Sequence, residues 1–431
     1  MKEKPKKRIY LDHAAGAPLD KRVRKVMEPY FTDVFGNPNA IYKEGLEARE
    51  ALESARGTVA EVLGAKADEI IFTSGGTESD NLAILGVANE VKQFYGNGGK
   101  FASLRTDKTG NSTEVKLSSI SSPSPRIITT KFEHPAVLNA CKALEKNGFA
   151  VTYLDVGKDG VVNPKDVAKA LRANTVLVTI MYANNEIGTV QPIREIAKVI
   201  RKFRKAEKGK SVSGYPLFHT DACQAPGYLD LNVERLGVDM LTLNGSKIYG
   251  PKGSGVLYMK RGVKIIPIMH GGEQEKGLRP GTENVAGIVG FATALALCEK
   301  EKERETKRLT ALRDYLIKNV LDKISRTSLN GSATERLPNN ANITFLDAEG
   351  EAIILYLDNE GIACSTGSAC NSANLEPSHV ITALGKPHKY AHGAVRFTLG
   401  RNTTKKDIDF ALKVLPDIVG KLRSFSPTSI I

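Results

Sequence analysis

One lysine sits where an amine could do chemistry. Lys247 lies inside Leu241 to Gly255, LTLNGSKIYGPKGSG, a turn punctuated by Gly245, Gly250, Pro251, Gly253 and Gly255 between the apolar runs MLTLN and GVLYM. The runs lack a helical repeat and read as buried strands, and the glycines and proline argue against a helix between them. An ordinary lysine is a solvated point charge. Held in a desolvated site, its pKa would fall from about 10.4 toward neutrality, giving an amine able to form Schiff bases. Other chemistry-bearing residues also follow apolar runs: Ser74 to Thr77, Glu133 and His134, Asn184 to Glu186, and Asp221 to Gln224. Taken singly each has a plain reading. SGGTESDN would suit a phosphate at a helix start, or be an ordinary glycine turn. His134 alone could be a satisfied polar residue, and Asp221 a plain strand-end carboxylate.

The elements that must position these residues can be read from the alternation of patterns. From Glu69 onward the short runs EIIFT, RIITT, FAVTYL, TVLVTIM and PLFHT alternate with helical patterns over 77–95, 135–147, 164–171 and 192–204. This is the rhythm of a doubly wound α/β sheet, in which ligands collect beyond the C-terminal ends of the strands. After Pro267 the rhythm changes. A glycine-rich segment, HGGEQEKGLRPGTEN, leads into a long helix predicted over 285–324. A strand near 342–346, a helix over 351–359, the loop CSTGSACNSANLEPSH, a strand at 395–399 and a terminal helix after Thr404 follow. These form a second, smaller α/β unit. The stretch 96–125 is rich in Gly, Ser and Lys with little hydrophobic periodicity, and reads as a mobile surface insertion.

Composition narrows the class. The 431 residues are 41% hydrophobic and 25% charged, as in a soluble globular protein, and no apolar run approaches the roughly 18 residues of a membrane helix. The basic N-terminus, MKEKPKKRIYLDHAAG, is followed by no apolar core or small-residue cleavage site, so no secretory signal is expected and the cytoplasm is. Five scattered cysteines argue for reduced thiols. The net charge of +13 arises from solvated helix faces such as KVIRKFRKAEKGK, so neither direct nucleic-acid binding nor a membrane partner is expected. There is no zinc-ligand spacing and no GxxxxGK[ST] phosphate loop, and no metal is expected.

The order of the motifs is more informative than any one of them. YLDHAAGAP, FGNPNAIY, FTSGGTESDN, FEHPAVL, NNEIGTVQPI, HTDACQAPG, GSKIYGPKGSG, MHGGEQEKGLRPGTEN, CSTGSACNSAN, EPSHVITALG and VRFTLGRNTT together resemble the pyridoxal-phosphate-dependent cysteine desulfurases, the NifS-like and IscS-like enzymes of the class V aminotransferase fold. The resemblance spans nearly the whole chain. It implies the α/β, aspartate aminotransferase-like fold of pyridoxal-phosphate-dependent transferases, with a large mixed-sheet cofactor domain over 20–267 and a smaller α/β domain made of 1–19 and 268–431.

Site residues follow from the same resemblance. Lys247 would hold the cofactor, pyridoxal 5'-phosphate, and shuttle a proton from the substrate's α-carbon. Asp221 would partner the pyridine nitrogen, and His134 would stack on the ring and move protons. Asn185 and Gln224 would surround the ring oxygen, with Asn185 also contacting the substrate. Gly76 and Thr77 would hold the phosphate, with Thr282 reaching the phosphate of the neighbouring subunit in a homodimer. Arg396 would fork the substrate carboxylate, a task its planar geometry suits. The implied activity converts L-cysteine to L-alanine and leaves a persulfide on Cys370, for a sulfur acceptor or iron-sulfur scaffold protein, or for tRNA thiolation. Cys370 lies among small, polar residues that suit a moving loop, whereas Cys364, beside the apolar run IAC, reads as a core thiol. Two rivals stand beside this reading: a transaminase or selenocysteine lyase-type enzyme on the same fold, and a silent basic binding module. The chain departs from the family pattern in carrying Asn244 and Ser246 where SGHK has a phosphate-binding serine and histidine, both still able to donate a hydrogen bond to the phosphate, in the 96–125 insertion, and in a short tail after Ser426.

Overall fold

A computed structural model describes residues 8–96, 124–206, 214–366 and 377–425. Cys370, nearly all of the 96–125 insertion and the tail after Phe425 lie outside the described residues. In chain order the strands are β1 (Ile9–Tyr10), β2 (Ile70–Thr73), β3 (Arg126–Thr130), β4 (Ala150–Leu154), β5 (Thr175–Thr179), β6 (Leu217–Asp221), β7 (Met240–Asn244), β8 (Gly255–Met259), β9 (Thr327–Leu329), β10 (Asn340–Phe345), β11 (Ile362–Ala363) and β12 (Ala394–Thr398). The helices are α1 (Lys21–Met27), α2 (Lys43–Leu63), α3 (Gly76–Gly96), α4 (Pro135–Lys146), α5 (Pro164–Ala170), α6 (Ile193–Ala206), α7 (Val233–Leu236), α8 (Val285–Lys323), α9 (Gly350–Asn359), α10 (His379–Ala383), α11 (His388–His392) and α12 (Lys405–Ser424).

Seven strands form the large sheet in the order β2-β8-β7-β6-β5-β3-β4. Strand β8 is antiparallel to both neighbours and the other pairings are parallel, so every strand except β8 points the same way. Their C-terminal ends therefore share one edge, where a ligand site belongs. Burial of both sheet faces explains the continuous apolar runs. Ile70, Phe72, Val256 and Tyr258 contribute to one core cluster, while the intervening Ile71 and Leu257 join another. This is the period of two that a pleated strand imposes. A smaller sheet, β12-β10-β9, and the pair β1-β11 carry a further core with residues from α8, α9 and α12.

Helix α8 ties these cores together. Its first half supplies Ile288, Phe291, Ala294 and Leu295 to the core beside the large sheet. Its second half supplies Leu309, Leu316 and Val320 to the core beside the small sheet. Its 39 residues span about 58 Å at the standard helical rise. No helix among the described residues is long and apolar enough to cross a membrane.

Candidate active site

The turn after β7 places the lysine. Asn244 accepts hydrogen bonds from the backbone N–H and hydroxyl of Ser246, both at 3.0 Å, closing a three-residue 3₁₀ turn over Gly245–Lys247. The glycines that argued against a helix are compatible with so short a turn. A Cβ on Gly245 would come within 2.3 Å of Ser254 Oγ, so the backbone is pressed against the returning strand. Two residues beyond Lys247, Tyr249 adopts φ 62°, a left-handed conformation that costs energy without glycine. It is held from three sides: Asp20 N donates to its carbonyl at 3.0 Å, Arg401 N donates to its hydroxyl at 2.9 Å, and the Arg401 guanidinium lies 4.3 Å from its ring centre. Lys247 Nζ donates to Ala15 O at 2.6 Å, which links the turn to the N-terminal strip.

Around this lysine a cavity of about 420 Å³ opens at the shared strand edge. It is lined by Gly76 and Thr77 after β2, His134 after β3, Asn185 after β5, Asp221 at the end of β6 and Gln224 beyond it, Asn244 at the end of β7 and Lys247 beyond it, and Arg396 from β12. Nine residues singled out from the sequence thus share one cavity. Ser246 does not line it, its hydroxyl being spent on Asn244. Thr282 lies exposed in the segment before α8. The lining also includes Asp80, Met181 and Cys223. Asp80 could have been found by helical spacing, since it follows Gly76 by four positions on α3. A larger cavity of about 580 Å³, lined by Tyr10, His13, Gly16 and Lys252, shares Ala15 with the first but gathers no comparable set of groups.

The local bonding assigns protonation and orientation. His134 Nδ1 accepts from Ala136 N at 3.2 Å, so the neutral ring carries its proton on Nε2. Burial, the largest influence, lowers its pKa and keeps it neutral at pH 7. Asp221, 7% exposed, accepts at Oδ1 from Cys223 N at 2.9 Å. Gln224 Nε2 donates to Ala14 O at 3.2 Å. Arg396 donates through one nitrogen to Asn185 O at 3.0 Å and through another to Asp12 Oδ1 at 2.7 Å, while its buried Nε has no hydrogen-bond partner among the described residues. Glu133 anchors the floor, its carboxylate accepting from Thr130 Oγ1 at 2.7 Å and from Met181 N at 3.0 Å.

The residues present fit a phosphorylated pyridoxal. A Cβ on Gly76 would come within 2.8 Å of Cys223 Sγ and 3.5 Å of Asn244 Nδ2. Glycine therefore leaves a cradle at the N-terminus of the 21-residue α3, where backbone N–H groups favour an anion. The Asn244 amide is close enough to that cradle to add a donor.

Thr282 belongs to a segment held by a buried ion pair. Arg56 Nη2 lies 2.7 Å from Glu275 Oε1, and Glu275 Oε2 also accepts from Arg56 Nη1 and Phe72 N, each at 2.8 Å. The pair pins a backbone turn in which Glu275 and Lys276 have φ 46° and 61°. Arg56→Met, which strands the buried carboxylate, is expected to lower stability by about 3–5 kcal/mol in urea denaturation. A loss below about 1 kcal/mol would show that the turn holds itself.

Comparison with known proteins agrees with this geometry. The model of the aminotransferase class-V family matches residues 9–112 and 106–410, and the chain belongs to that family. It is 48% identical to the cysteine desulfurase IscS of Dictyoglomus turgidum, over 98% of this chain and 97% of the relative. It is 46% identical to the cysteine desulfurase IscS of Methanosarcina thermophila, over 98% and 94%. Among solved structures it is similar to a NifS-like protein, with a TM-score of 0.82 and 33% identity over 96% of this chain and 100% of the other. It is also similar to SspA in complex with cysteine, with a TM-score of 0.72 and 34% identity over 91% and 98%.

Proposed function

We propose how the parts of this cysteine desulfurase divide the work of converting L-cysteine to L-alanine, with the sulfur left as a persulfide on Cys370. The observation that carries the proposal is the convergence of Lys247, Asp221, His134 and Arg396 on one cavity at the strand edge. Bound there, pyridoxal phosphate supplies an electron sink for the bonds around the substrate's α-carbon. Lys247 is the group to which it attaches and the base that carries the α-proton, and the Ala15 contact sets its starting position. Asp221 provides the negative charge opposite the ring nitrogen. Neutral His134 presents Nε2–H as a donor, and Asn185 and Gln224 provide further polar contacts. Gly76, Thr77 and the Asn244 amide take the phosphate, and Arg396 takes the substrate carboxylate by exchanging Asp12 for it.

A homodimer completes the site in this reading. Phe31, Phe35, Ile41, Tyr42 and Leu46 form an exposed run of large apolar side chains, with Ile41 89% exposed. Asn39 Nδ2 donates to Glu283 Oε2 at 3.4 Å, which sets this run beside Thr282. A second copy covering the apolar run would take Thr282 toward its own phosphate site. The described cysteines are free, in keeping with a reducing, cytoplasmic setting, and a sulfur acceptor such as an iron-sulfur scaffold protein would take the persulfide sulfur.

The test is hydride reduction of the protein in the presence of pyridoxal phosphate, followed by peptide mapping. The cofactor mass is expected on the peptide containing Lys247, because a lysine-bound cofactor is reducible and one held only by contacts is not. Labelling of Lys252 instead, or none in a folded, cofactor-supplied sample, would reject the assignment.

A further inference from the structure

Behind the cofactor cavity lies a buried acid that the mechanism above does not use. Asp80 is 1% exposed and lines the cavity one helical turn beyond Gly76. Its Oδ1 has no hydrogen-bond partner among the described residues. The nearest basic group, His219 Nε2, is 3.7 Å away, beyond hydrogen-bond reach. His219 is committed elsewhere, with Nδ1 2.9 Å from Thr179 Oγ1 and Nε2 3.0 Å from Thr242 Oγ1. Burial pushes its pKa down to about 4, so it is neutral and offers Asp80 no charge.

Among the neighbouring groups the Thr242 hydroxyl favours an ionised Asp80, but it counts for less than burial and the charge of Asp221, which oppose it. Glu133 and Asp221 are carboxyls, Cys223 is a buried thiol, and His134 is neutral. The cavity's cations are Lys247, tied to Ala15 O, and Arg396, tied to Asp12 and Asn185 O. Two carboxylates lining one cavity, one of them 1% exposed, cannot both ionise cheaply. Asp221 has the backbone N–H of Cys223 to stabilise its charge, whereas Asp80 Oδ1 has no such donor.

We propose that Asp80 is carried as a neutral carboxylic acid on the cavity floor and acts as a positioning residue whose proton leaves Asp221 as the charged member of the pair. Burial, then the charge of Asp221, pushes the Asp80 carboxyl well above the ordinary range, in agreement with the geometry. The consequence for the cofactor rests on reading the cavity as the pyridoxal-phosphate site; the protonation state does not. A neutral Asp80 leaves a single negative charge facing the ring nitrogen, beside a His219 that is bonded to Thr242 and Thr179 in the middle of the sheet.

Infrared difference spectroscopy on the cofactor-free full chain at neutral pH tests the proton directly. Wild type minus Asp80→Asn is expected to show the carbonyl stretch of a protonated carboxylic acid. Wild type minus Glu133→Gln, whose parent acid burial raises to about 8, serves to separate a second such band. Loss of an ionised-carboxylate band in Asp80→Asn would overturn the proposal, whatever becomes of the Lys247 assignment. The second readout is pyridoxal-phosphate binding. Asp80→Asn, which copies the neutral acid, is expected to weaken Kd by less than about threefold, and Asp80→Ala by more than about tenfold. Equal losses would mean that the charge was needed and would also overturn it. If Asp80→Ala does not fold, the infrared comparison of wild type with Asp80→Asn decides alone.

Discussion

Asp221→Asn is expected to fold, to take up pyridoxal phosphate and to lose turnover by about a thousandfold. The side chain is 7% exposed, and its Oδ1 accepts from Cys223 N at 2.9 Å, a bond that an asparagine oxygen can keep. Shape and local bonding therefore survive, and the loss is confined to charge. An ion pair at about 4 Å with an effective dielectric near 20 is worth roughly 4 kcal/mol, or about three powers of ten in rate if it acts fully in the transition state. The buried acid next door cannot substitute if it holds its proton, as we propose for Asp80, so no second charge hides the deficit. The measurements are cofactor absorbance per protomer and kcat for alanine formation. A variant with full cofactor content and kcat within about threefold of wild type would mean that the charge on Asp221 is not what the reaction draws on.

The cavity was legible in the sequence because of a topological regularity. His134, Asn185, Asp221 and Lys247 each follow an apolar run, and parallel strands deliver such residues to one edge regardless of their separation along the chain. Asp12 had no comparable signal. It meets Arg396 across 384 positions, a pairing set by how the N-terminal strip crosses β12 and not by any local pattern. Helices α1 and α2 passed unread for another reason. Half of the buried residues of α2 are small, Gly45, Ala48, Ala55 and Ala60, with Leu52, Arg56, Val59 and Leu63 spaced among them. Small side chains allow close packing against α8 but carry little hydrophobic contrast, so the 3.6-residue repeat is faint. The front of α8 is likewise alanine- and glycine-rich, and only its charged second half shows the amphipathic stripe. Ser246 illustrates the opposite case. Its residue type suited a phosphate ligand, but the need to cap the lysine turn claimed its hydroxyl.

Cys370→Ala is expected to retain cofactor yet form neither alanine nor persulfide at a measurable rate, while Cys364→Ala keeps both activities. The thiols that the fold buries are poor nucleophiles at neutral pH. Cys364 is 9% exposed, and burial pushes its pKa up to about 12. Burial pushes Cys141 to about 12 and Cys298 to about 11, and drives Cys223 well above its ordinary value. A thiol with a pKa near 12 holds only about one part in a hundred thousand as thiolate at pH 7, whereas an ordinary thiol near 8.5 offers a few per cent. That difference of roughly three powers of ten counts against the buried four as nucleophiles and supports the proposed attack by the fifth cysteine, Cys370. Cys364→Ala should cost about 1 kcal/mol of stability and little rate, since it removes one buried sulfur from the core. Cys223 sharpens the experiment, because among the described cysteines it is the one that lines the cavity. Alanine release and protein-bound sulfur, followed together by mass in the three single variants, separate the roles. If Cys370→Ala still made alanine at the wild-type rate and Cys223→Ala did not, the sulfur would be passing through the cavity wall itself, and the low thiolate fraction of a buried cysteine would not limit this reaction.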